Sequence, residues 1–268
     1  MLIVCATPLG NLGDVSDRLR EALREVDVIF AEDTRRSKRL TDLLGIDTPM
    51  RSYFAGNERM RDQELDRLLA EGGTVALITD AGTPVVSDPG ASAVNAARAA
   101  GANVTVIPGP SAVTGALAVS GMTGDRFVFE GFLPKKGRER AERLDALATE
   151  QRTMVLFVGP HQLIDDLESL AEALGQDRDI CVARELTKMH EEIQWSTLAE
   201  ALEEWSERGA KGEYTLVLKG GEAPANTLDE GVALARALID EGVSPSQAAR
   251  QAAAEMKLSR REIYGKLL

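Results

Sequence analysis

Along the first 120 residues, short apolar runs rich in β-branched side chains alternate with stretches in which apolar residues recur at helical spacing. LIVCA (2–6), VIFAE (28–32), TVALIT (74–79) and VTVIP (104–108) predict strands. Between the first two, Val15, Leu19, Leu23 and Val26 recur on one side of a helix. Further helices are predicted over 35–44, stopped by Gly45, and over about 58–71. Asp88 and Pro89 look like the N-cap and first position of a helix running to Ala100 and closed by Gly101. A helix of small residues follows from about 110 to 120. Strand and helix in strict alternation imply a mainly parallel sheet covered on both faces.

Around SGMTGDR (120–126) the pattern restarts, with strands at FVFEGF, TMVLFV (153–158), DICVARE (179–185) and EYTLVLK (213–219), and helices near 138–149, 160–174 and 196–208. GGEAPANT (220–227) has the composition of a linker. Three short helices come after it, with capping boxes expected at Ser244-Pro245-x-Gln247 and at Ser259 with Glu262. The expected organisation is therefore an α/β domain over 1–120, a second over 121–221 and a helix-turn-helix-like tail over 222–268.

A chain of 268 residues is long enough for two ordinary domains. It has no apolar stretch of about 18 residues to span a bilayer, and MLIVCATPLG lacks the basic start of a signal peptide, so a cytoplasmic protein without membrane contact is expected. Cys5 and Cys181 sit inside apolar runs and read as packed thiols, and no metal-ligand spacing is present. The net charge of -12 argues against a broadly basic nucleic-acid surface but leaves room for local patches. Two stand out: RRSKR (35–39) and KKGRERAER (135–143).

Ligands of open α/β sheets lie beyond the carboxyl ends of the strands, so the residues following each strand hold the candidate chemistry. These are TPLGNLGD (7–14), EDTRR (32–36), TDAGTPVVSDPG (79–90), PGPSA (108–112), VGPHQ (158–162) and RELTK (184–188). Neither G-x-G-x-x-G nor G-x-x-x-x-G-K-[ST] occurs, so no phosphate-cradling loop is expected. The third loop instead offers Asp80, Asp88, Thr83 and Ser87 on a backbone bent by Gly82 and Pro84. That set suits a neutral or cationic ligand bearing hydroxyl and amino groups. Asp88 has two readings, helix cap or ligand contact, whereas Asp80 has no cap to make.

Together TPLGNLGD, AEDTRRSKRL, TDAGTPVVSDPG, PGPSA, FEGFLP, ARELTK and GEYTLVL resemble, in order and over nearly the whole chain, the ribosomal RNA small subunit methyltransferase I family, a branch of the tetrapyrrole methylase-like, class III methyltransferases. The resemblance implies two α/β domains with S-adenosyl-L-methionine in the cleft between them, a homodimer, and 2'-O-methylation of a cytidine in the RNA of the small ribosomal subunit. It assigns the cofactor contacts to Pro8, Leu9, Gly10, Gly82, Thr83, Val86, Ser111, Ala112 and Val158, and Asp80 joins them from the loop chemistry. Lys188, with Glu185 on the same loop, is the catalytic candidate, as a cation beside the reacting oxygen, as a base if burial lowers its pKa, or as a phosphate contact. Arg35, Arg36, Lys135, Lys136 and Arg138 are the expected RNA contacts.

Two departures from the family pattern bear on these roles. Val158-Gly159-Pro160-His161-Gln162 replaces the Glu-Ser-Pro-His-Arg of many relatives, and YFAGNER (53–59) keeps only Asn57 and Glu58 of His-Glu-His-Asn-Glu. Two other functions stand as alternatives: methylation of a tetrapyrrole or other small anionic substrate, and ligand sensing by a non-enzymatic helix-turn-helix protein.

Overall fold

The computed structural model describes residues 1–221, 227–256 and 258–267, and most of the expected linker (222–226) lies outside them. The first half runs β1 (Leu2–Cys5), α1 (Asp17–Glu25), β2 (Val28–Ala31), α2 (Thr34–Leu43), β3 (Met50–Ser52), α3 (Glu58–Ala70), β4 (Val75–Ile78), α4 (Ala91–Ala99), β5 (Val104–Ile107) and α5 (Ala112–Ser120). The second half continues β6 (Phe127–Phe132), α6 (Arg138–Ala148), β7 (Thr153–Val158), α7 (Leu163–Leu174), β8 (Asp179–Arg184), β9 (Glu192–Thr197), α8 (Leu198–Arg208) and β10 (Tyr214–Leu218). These residues, Met1–Gly221, form one compact unit.

The first sheet has the order β3-β2-β4-β1-β5 and every pairing in it is parallel. Strands β1, β2 and β4 are buried on both faces, which explains their unbroken apolar runs, whereas edge strand β5 is partly exposed. Leu19, Leu23 and Ile29 fill one face; Phe30, Tyr53, Leu65 and Leu77 fill the other. Polar side chains start the helices as the sequence demands: Ser16 accepts from the Leu19 amide and Asp33 from the Arg35 amide.

The second sheet has the order β6-β7-β10-β8-β9, parallel only between β6 and β7. Leu156, Leu163, Leu167, Val182, Trp205 and Leu216 build its core under α7 and α8. Its other face, with Val155, Cys181, Ala183 and Val217, packs on Val113 and Ala116 of α5 and so joins the two halves. Both cysteines are buried free thiols, and loss of water pushes Cys5 up to about 12 and Cys181 to about 11.

Three details differ from the sequence expectation. Strands β3 and β9 are additional; Glu192–Thr197 alternates no apolar face for a core, because β9 is an edge strand with Trp195 exposed. Asp88 caps no helix: α4 begins at Ala91 behind Gly90, whose φ of +134° and close fit against Leu77 leave no room for a side chain. At Ser244 the hydroxyl bonds the Gln247 side chain instead of completing a capping box, while Thr227 with Glu230 and Thr197 with Glu200 form two complete boxes.

The second compact unit, Glu222–Leu268, contains α9 (Leu228–Asp240), α10 (Pro245–Met256) and α11 (Arg260–Leu267). They pack on one another through Val232, Ala235, Ala248, Ala249, Ala252 and Ile263. The alanines allow close approach, and Gly231 leaves the space that Leu258 and Ile263 occupy.

Leu156 is fully buried at the centre of the second sheet's core. Leu156→Ala is expected to lower the unfolding free energy by about 2–5 kcal/mol, measured as a shift in urea midpoint at constant slope.

Candidate functional site

The carboxyl edge of the parallel sheet is tied together by hydrogen bonds between the loops after β1, β2 and β4. Thr7 and Gly82 exchange backbone bonds of 2.8 and 3.0 Å, joining the first loop to the third. Asp80 Oδ1 accepts the Asp33 amide at 3.1 Å and Oδ2 accepts Arg36 Nη1 at 3.1 Å, joining the third loop to the second. Glu58 accepts the Gly90 amide at the far end of the third loop, and Asn57 bridges Ser52 and the Phe54 amide. Asn57 and Glu58, the two residues that YFAGNER keeps, are thus engaged in loop geometry.

Within this frame the third loop is strained. Val85 and Ser87 have φ of 77° and 63°, the first a β-branched residue in the left-handed region. Such backbone persists only when its surroundings over-determine it, and it collects at binding sites.

A cavity of about 410 Å³ opens over these loops. From the first half it is lined by Leu9, Glu32, Arg36, Asp80, Gly82, Thr83, Val86, Asp88, Ser111 and Ala112. From the second half come Phe132, Phe157, Val158, Pro160 and the start of β10 at Glu213–Thr215. Of the expected cofactor contacts, Leu9, Asp80, Gly82, Thr83, Val86, Ser111, Ala112 and Val158 therefore converge on one space. Pro8 is buried outside the lining, and Gly10 sits instead under Lys188, whose Cγ occupies the place a Cβ would need.

A buried hydroxyl, that of Thr79, lies behind these loops. It lies 2.6 Å from Glu32 Oε2 and 2.8 Å from Asp88 Oδ2. A hydroxyl has one proton to donate, so it serves both carboxyl groups only if one of them carries a proton and donates back. Asp88 is the one of the two whose proton affinity is raised: burial, against the pull of the Thr79 bond and with Glu32 and Asp80 nearby, pushes it up to about 6, so it takes up a proton in mildly acid solution. Asp80 is also raised, first by burial and then by Glu32 and Asp33, against the Asp33 amide and Arg36. Among the described residues that line the cavity Arg36 is the one cation, and no lysine joins it.

Lys188 occupies a side recess of about 50 Å³ that shares Leu9, Ala81, Ala112, Glu213 and Thr215 with the main cavity. Its Nζ bonds Glu185 Oε1 at 2.8 Å and Glu213 Oε2 at 2.7 Å. Burial alone would lower its pKa, but these two carboxylates outweigh it and hold the ammonium above its ordinary range. The base reading of Lys188 rested on a pKa lowered by burial, and these surroundings instead favour the cation. Glu185, with φ of 49°, also accepts the Glu213 amide and is held ionised, burial being outweighed by Lys188 and that amide.

The expected RNA contacts are unequal. Arg35 is paired with Asp33, Arg36 with Asp80 and Arg138 with Glu142, and Arg140 of the same run is buried against Asp166. Lys135, Lys136 and Arg39 are exposed and have no carboxylate partner among the described residues. His161 stands exposed in a 3-10 turn over Pro160–Gln162, outside the cavity lining.

Glu32, Thr79, Glu213, Phe132 and Phe157 were not singled out from sequence. Glu32 directly follows β2 in a loop already suspect, so position alone flagged it. The two phenylalanines lie inside the predicted strands FVFEGF and TMVLFV, and a strand pattern does not show which face meets a cavity.

Among the described residues no helix is long and apolar enough to cross a membrane, and no three His, Cys, Asp or Glu side chains are grouped to hold a metal ion. A family model described as Tetrapyrrole (Corrin/Porphyrin) Methylases matches residues 1–202. The protein named Ribosomal RNA small subunit methyltransferase I from Synechocystis sp. is 45% identical, over 98% of this chain and 96% of its own. Proteins of the same name from Mycobacterium tuberculosis (42%, covering 100% and 94%) and Thermotoga maritima (43%, covering 82% and 99%) are similarly close. Among solved structures, the methyltransferase CobJ (TM-score 0.63, 22% identity, 82% and 94% covered) and diphthine synthase (0.63, 17%, 81% and 89%) share the fold.

The raised carboxyl of Asp88 has a consequence for stability. An unfolded aspartate titrates near 3.8 and the folded one at about 6, so between these values the folded state binds a proton that the unfolded chain has released. The group's contribution is complete below the lower value and is lost as pH rises through the upper one. Asp88→Asn, neutral at every pH and able to donate to Thr79, is expected to flatten the stability lost by the wild type between about pH 5 and about pH 7. Urea unfolding across that range measures it.

Proposed function

The chain belongs to the ribosomal RNA small subunit methyltransferase I family, within the tetrapyrrole methylases, and from that premise we propose that it transfers a methyl group from S-adenosyl-L-methionine to the ribose 2'-oxygen of a cytidine in small-subunit ribosomal RNA. The observation that carries the cofactor assignment is the donor set of the cavity. Glu32, Asp80 and Glu213 supply negative charge, Thr83, Ser87 and Ser111 supply hydroxyls, and Leu9, Val86, Phe157 and Val158 supply apolar walls. A ligand with a sulfonium, an amino group, ribose hydroxyls and a purine fits this chemistry, whereas a polyphosphate would meet carboxylates without a lysine.

The bound cofactor supplies an already activated methyl group. What remains for the protein is to hold the accepting oxygen in line with it and to keep water out. Lys188, clamped by Glu185 and Glu213, presents a cation in the recess beside the cavity, suited to stabilise negative charge developing on that oxygen. Glu185 and Glu213 position it and prevent its deprotonation. Lys135 and Lys136, with no carboxylate partner among the described residues, are the side chains best able to neutralise phosphates, with Arg35, Arg36 and Arg138 released to RNA only against their carboxylates. A homodimer acting in the cytoplasm on the small subunit or its RNA belongs to the same proposal; the outer edge of β5, with Val106 half exposed, is a surface such a partner would cover. A tetrapyrrole substrate, bearing several carboxylates, is disfavoured by the acids that share the cavity with Arg36.

The test is transfer of labelled methyl from S-adenosyl-L-methionine to small ribosomal subunits from a strain without this enzyme, followed by mapping of the modified nucleotide. Label at a cytidine ribose is expected; label in a tetrapyrrole and none in RNA would overturn the proposal. Lys135→Ala with Lys136→Ala is expected to weaken RNA binding and to reduce its salt dependence by about one log–log slope unit for each phosphate no longer neutralised. Filter binding over a salt series measures both.

A further inference from the structure

Strand β6 contains an irregularity that its core does not require. Phe127, Val128 and Phe129 pair in order with Thr153, Met154 and Val155, after which Gly131 and Phe132 pair with Leu156 and Phe157, so Glu130 is left as an extra residue. Gly131 takes φ of +63° and packs to within reach of Ser87 Oγ, which lies 3.0 Å from where a Cβ would stand. Side chains alternate along a strand, so the extra residue moves Phe132 onto the face that carries Phe129, Val155 and Phe157. Without it Phe132 would share the face of Leu156 and Val158, which builds the buried core.

The outcome is a three-ring stack that leads out of the molecule. Phe129 meets Phe157 edge-on at 4.9 Å, and Phe157 meets Phe132 at 5.7 Å. Phe132 is 59% exposed at the mouth of the cavity, with Phe157 fixing it from beneath. An exposed phenylalanine adds little to folding. Held in place by a bulge and a left-handed glycine, it is organised to receive something flat.

The chain immediately beyond the ring narrows the choice of occupant. Leu133 turns back into the core, and Lys135 and Lys136, the unpaired lysines of the basic run, follow within about 10–14 Å of extended chain. An aromatic face beside unpaired cations is the arrangement by which proteins hold single-stranded nucleic acid, base on ring and phosphate on lysine. Of the described aromatic residues lining the cavity Phe132 is the exposed one, Phe157 being half-buried and Tyr214 buried, so its free face is open to a ligand larger than the cavity holds. Resting on the proposed RNA substrate, we propose that Phe132 is the stacking platform for a nucleobase of that substrate, the cytosine whose ribose is methylated, and that Lys135 and Lys136 hold the adjoining phosphates.

The experiment compares wild type, Phe132→Ala and Phe132→Trp. Each is titrated with a short single-stranded RNA containing the modified cytidine and with the same RNA bearing an abasic ribose at that position. Phe132→Ala is expected to lose about tenfold in affinity for the intact RNA, and the tryptophan variant to retain it. Removing the base should cost the wild type a similar factor and cost Phe132→Ala little, since ring and base act on each other. Calorimetry with S-adenosyl-L-methionine should give one affinity for all three proteins. An alanine variant with undiminished RNA affinity, or with additive losses, overturns the platform; a parallel loss of cofactor affinity assigns the ring to the cofactor and overturns it too. Wild type that shows the ring-base coupling but transfers no methyl to RNA instead overturns the methylation assignment and leaves the platform standing.

Discussion

The site hangs on the hydroxyl of Thr79. It joins Glu32 after β2 to Asp88 at the end of the third loop, while the Thr79 carbonyl accepts the hydroxyl of Thr7 from the loop after β1. Three loops that the sequence separates by dozens of residues are thus fastened at one buried point, with Asp80 adding the amide of Asp33 as a second fastening. One hydroxyl faces two carboxyl groups there, so its single proton cannot satisfy both at once. Low local dielectric makes such a network strong when every lone pair is matched and costly when one is not. The raised carboxyl of Asp88 belongs to this cluster, and the left-handed backbone at Val85 and Ser87 lies in the turn that leads to it.

From that anchor the division of labour between the two halves follows. The parallel sheet presents a rigid, polar and acidic floor, because its loops are cross-linked by hydrogen bonds at the switch between β4, β1 and β5. The mixed sheet adds further apolar walls at Phe157 and Val158, and a second cation, Lys188, in the side recess. Lys188 is held as a cation by Glu185 and Glu213, and Glu185 is aimed by its own left-handed backbone and by the Glu213 amide. A methyl transfer from an activated donor needs position and a fixed field more than a titrating base, which is the chemistry this arrangement can supply.

Much of this was legible before the structure. Strand and helix alternation implied the layered α/β plan, the rule that ligands sit past the carboxyl ends of strands pointed to the loops and to Asp80, and the family resemblance supplied the other seven of the eight residues that line one cavity. Other features stayed hidden for physical reasons. Asp88-Pro89-Gly90 has the composition of a helix start, yet a carboxyl that Thr79 captures cannot also cap, and Gly90 fills the place where a capping side chain would clash with Leu77. Edge strand β9 lacks an apolar period because it buries little. The bulge at Glu130 is invisible to pattern, since FVFEGF reads as one unbroken strand until register with β7 is known.

A net charge of -12 makes the protein, taken as a whole, an unpromising partner for RNA. At physiological ionic strength, fields beyond about 8 Å are largely screened, so an RNA strand responds to the side chains it touches and not to the sum. The number of arginines in a run is then a poor guide. Arg35, Arg138 and Arg140 look basic in sequence, but their carboxylate partners stand at 2.9, 2.6 and 2.7 Å, and drawing them to phosphate means breaking a pair. Lys135 and Lys136 have no such pair to break among the described residues. On the proposed RNA substrate, a lysine loop beside an exposed ring suits a flexible, unpaired strand better than a duplex, which favours a target base that is free to leave its stack.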